Sequence, residues 1–257
     1  MNLMCIFAVA ANSFMEVIRE RLLYLAAFFA LLLLGAMQLL PKISLGTSEK
    51  ILLDLGLGAI AILATLVAIF VGTSLLNKEI ERRTVLVLIP KPITRSELIL
   101  GKHFGLWWVT SLMVILMSVF HVVALQLTGQ VIPLGAIAIS VAFLLLELGL
   151  LMAVALLFGS FTNSILAMLL SFGVYVMGHL SEDLLELGEL SKSESLAQTT
   201  RWLYFVLPDL ERLNFRNEAI YDLLPPAPEL WATALYGGVY IVVLLAIATT
   251  IFQRRQF

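Results

Sequence analysis

The sequence predicts an all-α polytopic membrane protein: six transmembrane helices, an N-terminal interfacial elbow helix, and a helical outer segment before the last helix. Three observations carry this. Composition is the first: 61% of the 257 residues are hydrophobic and 13% are charged, with a mean hydropathy of +1.01. Soluble domains carry about 25% charged residues. The second is the recurrence of apolar blocks near the ~20 residues that a spanning helix needs, since lipid satisfies no exposed backbone group. The third is that charge gathers in short stretches between those blocks. The net charge of −2 gives no sign of a nucleic-acid partner, and the single cysteine, Cys5, excludes a disulfide framework or a Cys-rich metal site. A cleaved signal peptide is not expected, because the first residues lack a basic start.

Each element follows in order along a single domain, 1–257. Residues 1–21 place Phe7, Ala10, Phe14, Val17 and Ile18 at helical spacing, with Asn12, Ser13, Glu16, Arg19 and Glu20 on the other face. That is the pattern of a helix lying in the membrane interface. The alternative, an extension of the first span, adds length which that span does not need. Spans are expected near 22–40, 55–77, 104–127, 134–158, 163–181 and 230–252. The block 133–181 is too long for one span. It breaks at the "GSFTNS" corner, where small and turn-forming residues cluster. Residues 182–229 form the outer segment, with an acidic start and an amphipathic stretch that stops at Pro208. The last span and tail occupy 230–257. Charge orients the chain. With the N-terminus cytoplasmic, ten Lys/Arg lie inside against six outside, and the outer segment holds ten carboxylates against four basic groups. Both termini are therefore expected to be cytoplasmic.

The longest inner segment, 78–102, reads "KEIERRTVLVLIPKPITRSELILGK". "KEIERRTVLVL" reads as a short helix, which "IPKP" stops. Thr94 and Glu97 then form a capping box that starts a helix running into the third span. A basic loop can simply anchor its spans. Ordered helix punctuation around the apolar patch 85–89 points instead to a docking surface for a cytoplasmic partner.

This segment resembles the cytoplasmic loop of the ABC-2 type transporter permeases, in which a Glu-rich start leads to Thr, Leu, Pro, Arg, Glu and a Gly-Lys pair. Glu79, Glu81, Arg83, Thr84, Leu88, Pro90, Arg95, Glu97, Gly101 and Lys102 stand at those places. Arg82–Arg83 departs from the family, which often has a glycine next to the threonine. The 156–184 stretch resembles the branch of permeases linked to multicopper-enzyme maturation. The resemblance implies a non-catalytic permease that pairs with a second permease, identical or paralogous. It implies two cytoplasmic ATPase subunits that hold ATP and Mg, so this chain binds no cofactor of its own. Its coupling hairpin would dock through Glu79, Glu81, Arg82, Arg83, Thr84, Leu88, Pro90, Lys91, Pro92, Arg95, Glu97 and Lys102. It also implies an integral protein of a bacterial cytoplasmic membrane. The chain itself has no P-loop. Gly101–Lys102 is followed by His103 and lacks the upstream glycine and the Ser/Thr of a phosphate cradle.

Several residues interrupt the apolar pattern. Glu147 lies mid-span, where a carboxylate costs about 2.5–3.5 kcal/mol. It marks either the pathway or a gate, or else it is satisfied by a Ser or Thr of a neighbouring helix. No basic partner is evident, except His121 if that lies at the same depth. His121, toward the outer end of the third span, is the second pathway or gate candidate, or else a packed, hydrogen-bonded histidine. His179 opens "GHLSED", expected at the outer surface beside Glu182 and Asp183, and no metal site is expected. Two function classes remain: an exporter of a lipid, amphiphile or lipid-linked glycan, or an ATPase-coupled subunit that acts mechanically on other proteins. An intramembrane enzyme ranks below both, because Glu147 lacks a catalytic partner.

Overall fold

The computed structural model describes residues 3–19, 23–43, 48–81, 94–127, 132–191 and 194–254. Among these, 92% are helical and none is in a strand. The elements are α1 (Leu3–Arg19), α2 (Leu23–Ile43), α3 (Ser48–Glu81), α4 (Arg95–Leu127), α5 (Leu134–Phe161) and α6 (Ser164–His179). They continue with α7 (Ser181–Leu190), α8 (Glu194–Val206), a 3-10 turn (Glu211–Leu213), α9 (Arg216–Tyr221) and α10 (Ala227–Arg254).

Among the described residues, four apolar stretches are long enough to cross a membrane: Lys50–Lys78, Arg95–Leu127, Leu134–Phe161 and Ala227–Arg254. A fifth arises if α6 and α7, bent by 63° at Leu180, count as one span. The first predicted span, 22–40, is helical as part of α2, and its described apolar stretch is the shorter Ala27–Met37. The segment "KEIE" does not open a separate helix. It is the last turn of α3, because nothing between Asn77 and Glu81 breaks the helix. The rest of the predicted short helix lies outside the described residues.

The centre of the bundle is α5. From Leu148 to Leu156 every side chain is buried, as expected for a helix that is apolar all round. It packs against α3, α4, α6, α9 and α10. The expected corner is present. α5 ends at Phe161, and the Asn163 side chain accepts from the Leu166 N–H (2.9 Å) to cap α6.

Two features position the functional residues. α1 lies along α4, burying Ile6, Ala10, Ser13 and Val17. The second is the shortness of α6. Its 16 residues reach only about 24 Å at 1.5 Å per residue, less than the ~30 Å hydrocarbon thickness. At its end the chain turns into α7 and α8, then doubles back. The Leu210 N–H donates to the Gly178 carbonyl at 3.0 Å. A Cβ at Gly178 would come within 2.8 Å of the Pro208 carbonyl oxygen, so a glycine there lets the returning strand of chain lie against α6. The phenol of Tyr236 on α10 holds the same segment by accepting from the Asp209 N–H at 2.8 Å.

Candidate functional site

The base of the hairpin is built as the sequence predicts. The Thr94 N–H donates to Glu97 Oε2 (2.9 Å), and the Glu97 N–H donates to Thr94 Oγ1 (3.3 Å), a reciprocal capping box that starts α4. Of the expected docking residues, Arg82, Arg83, Thr84, Leu88, Pro90, Lys91 and Pro92 lie outside the described residues. Glu79 and Glu81 sit in the last turn of α3, with their side chains also outside. Glu97 is 2% exposed and Lys102 1% exposed. Lys102 meets Glu16 of α1, Nζ to Oε2 at 3.5 Å. Arg95 turns toward the other end of the chain. Its Nη1 donates to the carbonyls of Phe252 (3.0 Å) and Gln253 (2.8 Å), the last turn of α10.

The second region is a cavity of about 280 Å³ enclosed by α3, α5, α6 and the returning segment. Glu147 projects into it from α5, thirteen residues past Leu134 and so about 20 Å along the axis. Its carboxyl is not alone. His179 Nε2 lies 3.5 Å from Glu147 Oε1, with side-chain exposures of 22% and 5%. The sequence reading placed His179 at the outer surface with Glu182 and Asp183. The structure instead brings it to the depth of Glu147, because α6 stops short. The His179 Nδ1 faces the Tyr175 carbonyl at 3.2 Å, which orients the ring.

Arg216 completes the polar lining, at the start of α9. Its Nε is 3.2 Å from Asp54 Oδ1 on α3, and its guanidinium lies over Gly58, where a Cβ would stand 3.1 Å from Nη1. Ser140, Tyr175 and Asn214 add further polar groups. Leu57, Ala61, Ile62, Val141, Leu144 and Phe215 supply the apolar walls. The sequence reading did not identify Arg216, Tyr175 or Asp54 as site residues. Arg216 lies in the long outer segment between Asn214 and Glu218, and nothing local distinguishes it from a solvated basic residue.

His121 is elsewhere. It is fully buried on α4, packed directly against Gly56 of α3. Neither ring nitrogen has a hydrogen-bond partner of good geometry among the described residues, with the Leu53 carbonyl the nearby acceptor. The missing side chain of Gly56 makes room for the ring. Gly56→Ala therefore costs about 1–2 kcal/mol by overpacking. His121→Ala in the same chain recovers most of that loss in a double-mutant cycle read by thermal melting. Simple additivity of the two losses would exclude the contact.

The sequence matches the ABC-2 family transporter protein family over residues 7–257. The chain belongs to this family. No curated protein matches it. As an ABC-2 permease it is an integral membrane protein, of a family whose members are generally non-catalytic membrane subunits of ABC exporters. Such permeases generally work with a cytoplasmic ATPase and a second permease. In this ABC-2 permease Glu147, His179 and Arg216 meet under the returning segment, while the hairpin base is tied to both α1 and α10.

Proposed function

We propose that this chain is the permease subunit of an ATP-driven exporter, with six spans, both termini cytoplasmic, and α1 as an elbow in the inner interface. Two permeases would form the pathway in a bacterial cytoplasmic membrane. Two ATPase subunits would bind ATP and Mg and dock on the 78–102 hairpin. The observation that carries this reading is the family match across 7–257. It is supported by the capping box within the hairpin, which starts α4 at its second arm. Transport is favoured over a purely mechanical role by the polar cavity around Glu147, because an intramembrane carboxyl is costly to insert unless it serves a site. The apolar walls of that cavity suit a lipid, an amphiphile or a lipid-linked glycan better than a small hydrophilic ion.

The test is affinity purification from native membranes, beside a Glu81→Ala, Arg83→Ala variant. The native chain should carry a P-loop ATPase with it, and the variant should lose most of it. Loss of two charged contacts at about 1.5–3 kcal/mol each corresponds to at least a hundredfold weaker docking. Absence of any ATPase with the native chain, even after crosslinking, rejects the exporter reading.

A further inference from the structure

We infer that the cavity around Glu147 binds the head of an amphiphile that carries both a primary ammonium and a phosphate, with its tail left in lipid. This deepens the exporter reading by naming a substrate class, and it rests on that reading only for the transport step. Four features of the cavity carry the inference.

The first is an under-supplied acceptor. A carboxylate has two oxygens with about four acceptor positions. The Glu147 carboxyl is almost fully enclosed, and among the described residues its one ion-pair contact is His179 at a long 3.5 Å. A hydrogen-bond-donating cation fits that position. A trimethylammonium group cannot donate and fits it less well. The second is an anion-binding side. Arg216 presents a guanidinium with five N–H donors, of which the Nε faces Asp54. The Asn214 amide beside it is already engaged by Glu211, so the guanidinium is the donor group of this side. Guanidinium groups match phosphate oxygens bidentately.

Size is the third feature. About 280 Å³ is at or below the lower end of pockets that hold whole drug-sized ligands, roughly 300–1,000 Å³. It suits a head group and excludes a complete lipid. The fourth is the mouth. Ile62 lines the cavity and is 57% exposed, and α3 continues beyond it with exposed Leu66 and Phe70. α6 likewise carries exposed Leu169, Phe172 and Val176 below Tyr175 and His179. Apolar faces therefore lead away from a polar pocket, which is the shape of an amphiphile. A purely anionic head would meet Glu147 without a cation of its own to offset it.

The test is native mass spectrometry of the purified chain in nanodiscs. Phosphatidylethanolamine, phosphatidylcholine and phosphatidylglycerol with the same acyl chains are supplied in equal amounts. Wild type should retain phosphatidylethanolamine about tenfold over the other two, the effect of one charge-assisted hydrogen bond. Glu147→Gln should bring phosphatidylethanolamine and phosphatidylcholine to within about threefold of each other. Ala61→Phe, which fills the cavity without touching a charge, should abolish retention of all three. Equal retention of the three lipids by wild type means annular lipid only and overturns the inference. A preference that survives both variants places the lipid elsewhere and overturns it too. No ATPase is present in this assay, so its failure is distinct from a failure of the exporter reading.

Discussion

Gly105→Leu should detach α1 from the bundle. α4 presents Gly101 and Gly105 one turn apart, the small-xxx-small spacing that lets membrane helices approach closely. A Cβ at Gly105 would stand 2.5 Å from the Ala10 carbonyl oxygen and 2.7 Å from Ser13 Cβ. A Cβ at Gly101 would stand 2.5 Å from Val9 Cβ and 3.0 Å from the Ile6 carbonyl oxygen. Two of these obstacles are backbone. They cannot swing aside as a side-chain end can, so α1 as a whole must move. Overpacking costs about 1–3 kcal/mol in a well-packed core, and a full leucine against backbone falls at the upper end. The displacement also pulls Glu16 away from Lys102, which is 1% exposed and would lose its carboxylate neighbour.

Two readouts check this. The melting temperature of the detergent-solubilised chain should fall by several degrees. Cys5, the single cysteine and half-buried on α1, should react faster with a maleimide. Gly173→Leu is the control, since a Cβ there meets nothing within 4 Å. If both variants melt and label alike, close approach at Gly105 is not what holds α1.

Arg95→Ala should loosen the end of the last helix. The final carbonyls of any helix lack internal partners. Here the Arg95 guanidinium supplies donors to two of them, at Phe252 and Gln253, across 157 and 158 residues of sequence. The Gln253 side chain returns the contact by donating to Ser96 Oγ at 3.2 Å. A cation at a helix C-terminus is favourable by about 0.3–1 kcal/mol, and the two charge-assisted bonds add to it. Partial exposure reduces that sum, and about 2 kcal/mol is the expected loss. Amide exchange in the last turn of α10 should then speed up by about thirtyfold, with the rest of the bundle unchanged. Arg95→Lys should recover only part of the protection, because an ammonium is a point charge that does not reproduce the fork. Unchanged exchange in Arg95→Ala would show that the clasp carries no load. If the hairpin docks an ATPase, this clasp makes α10 the span that follows the hairpin most directly.

Local signals in the sequence were read correctly because local chemistry decides them. Thr94 and Glu97 cap a helix wherever that helix is placed. The "GSFTNS" corner breaks the long apolar block, with Thr162 closing one helix and Asn163 capping the next. The long apolar runs had to become helices because a continuous apolar run of about 20 residues satisfies its own backbone in lipid only as a helix, whereas barrel strands are short and alternate in polarity. The face of α1 followed only in part: Ala10 and Val17 are buried, but Ser13 of the expected polar face is buried with them and Phe7 of the expected apolar face is exposed, because the packing side is set by α4.

The partners of the charged residues were a different matter. Arg95, Glu97 and Lys102 read as one cluster along the hairpin. Folding directs Arg95 to α10, Lys102 to α1 and Glu97 back to Thr94. Glu147 looked isolated because its neighbours come from distant segments: His179 from the end of a helix too short to cross, and Arg216 from a segment that looked external.

The sequence by itself therefore determined the helical membrane class of the protein, its long apolar helices and the Thr94–Glu97 cap, since hydropathy and capping act within a few residues. Tertiary structure alone decided that Glu147, His179 and Arg216 share a cavity. The depth of His179 depends on where α6 stops, and the depth of Arg216 on the chain folding back against Gly178. Both are set by packing between helices, which no spacing along the chain records.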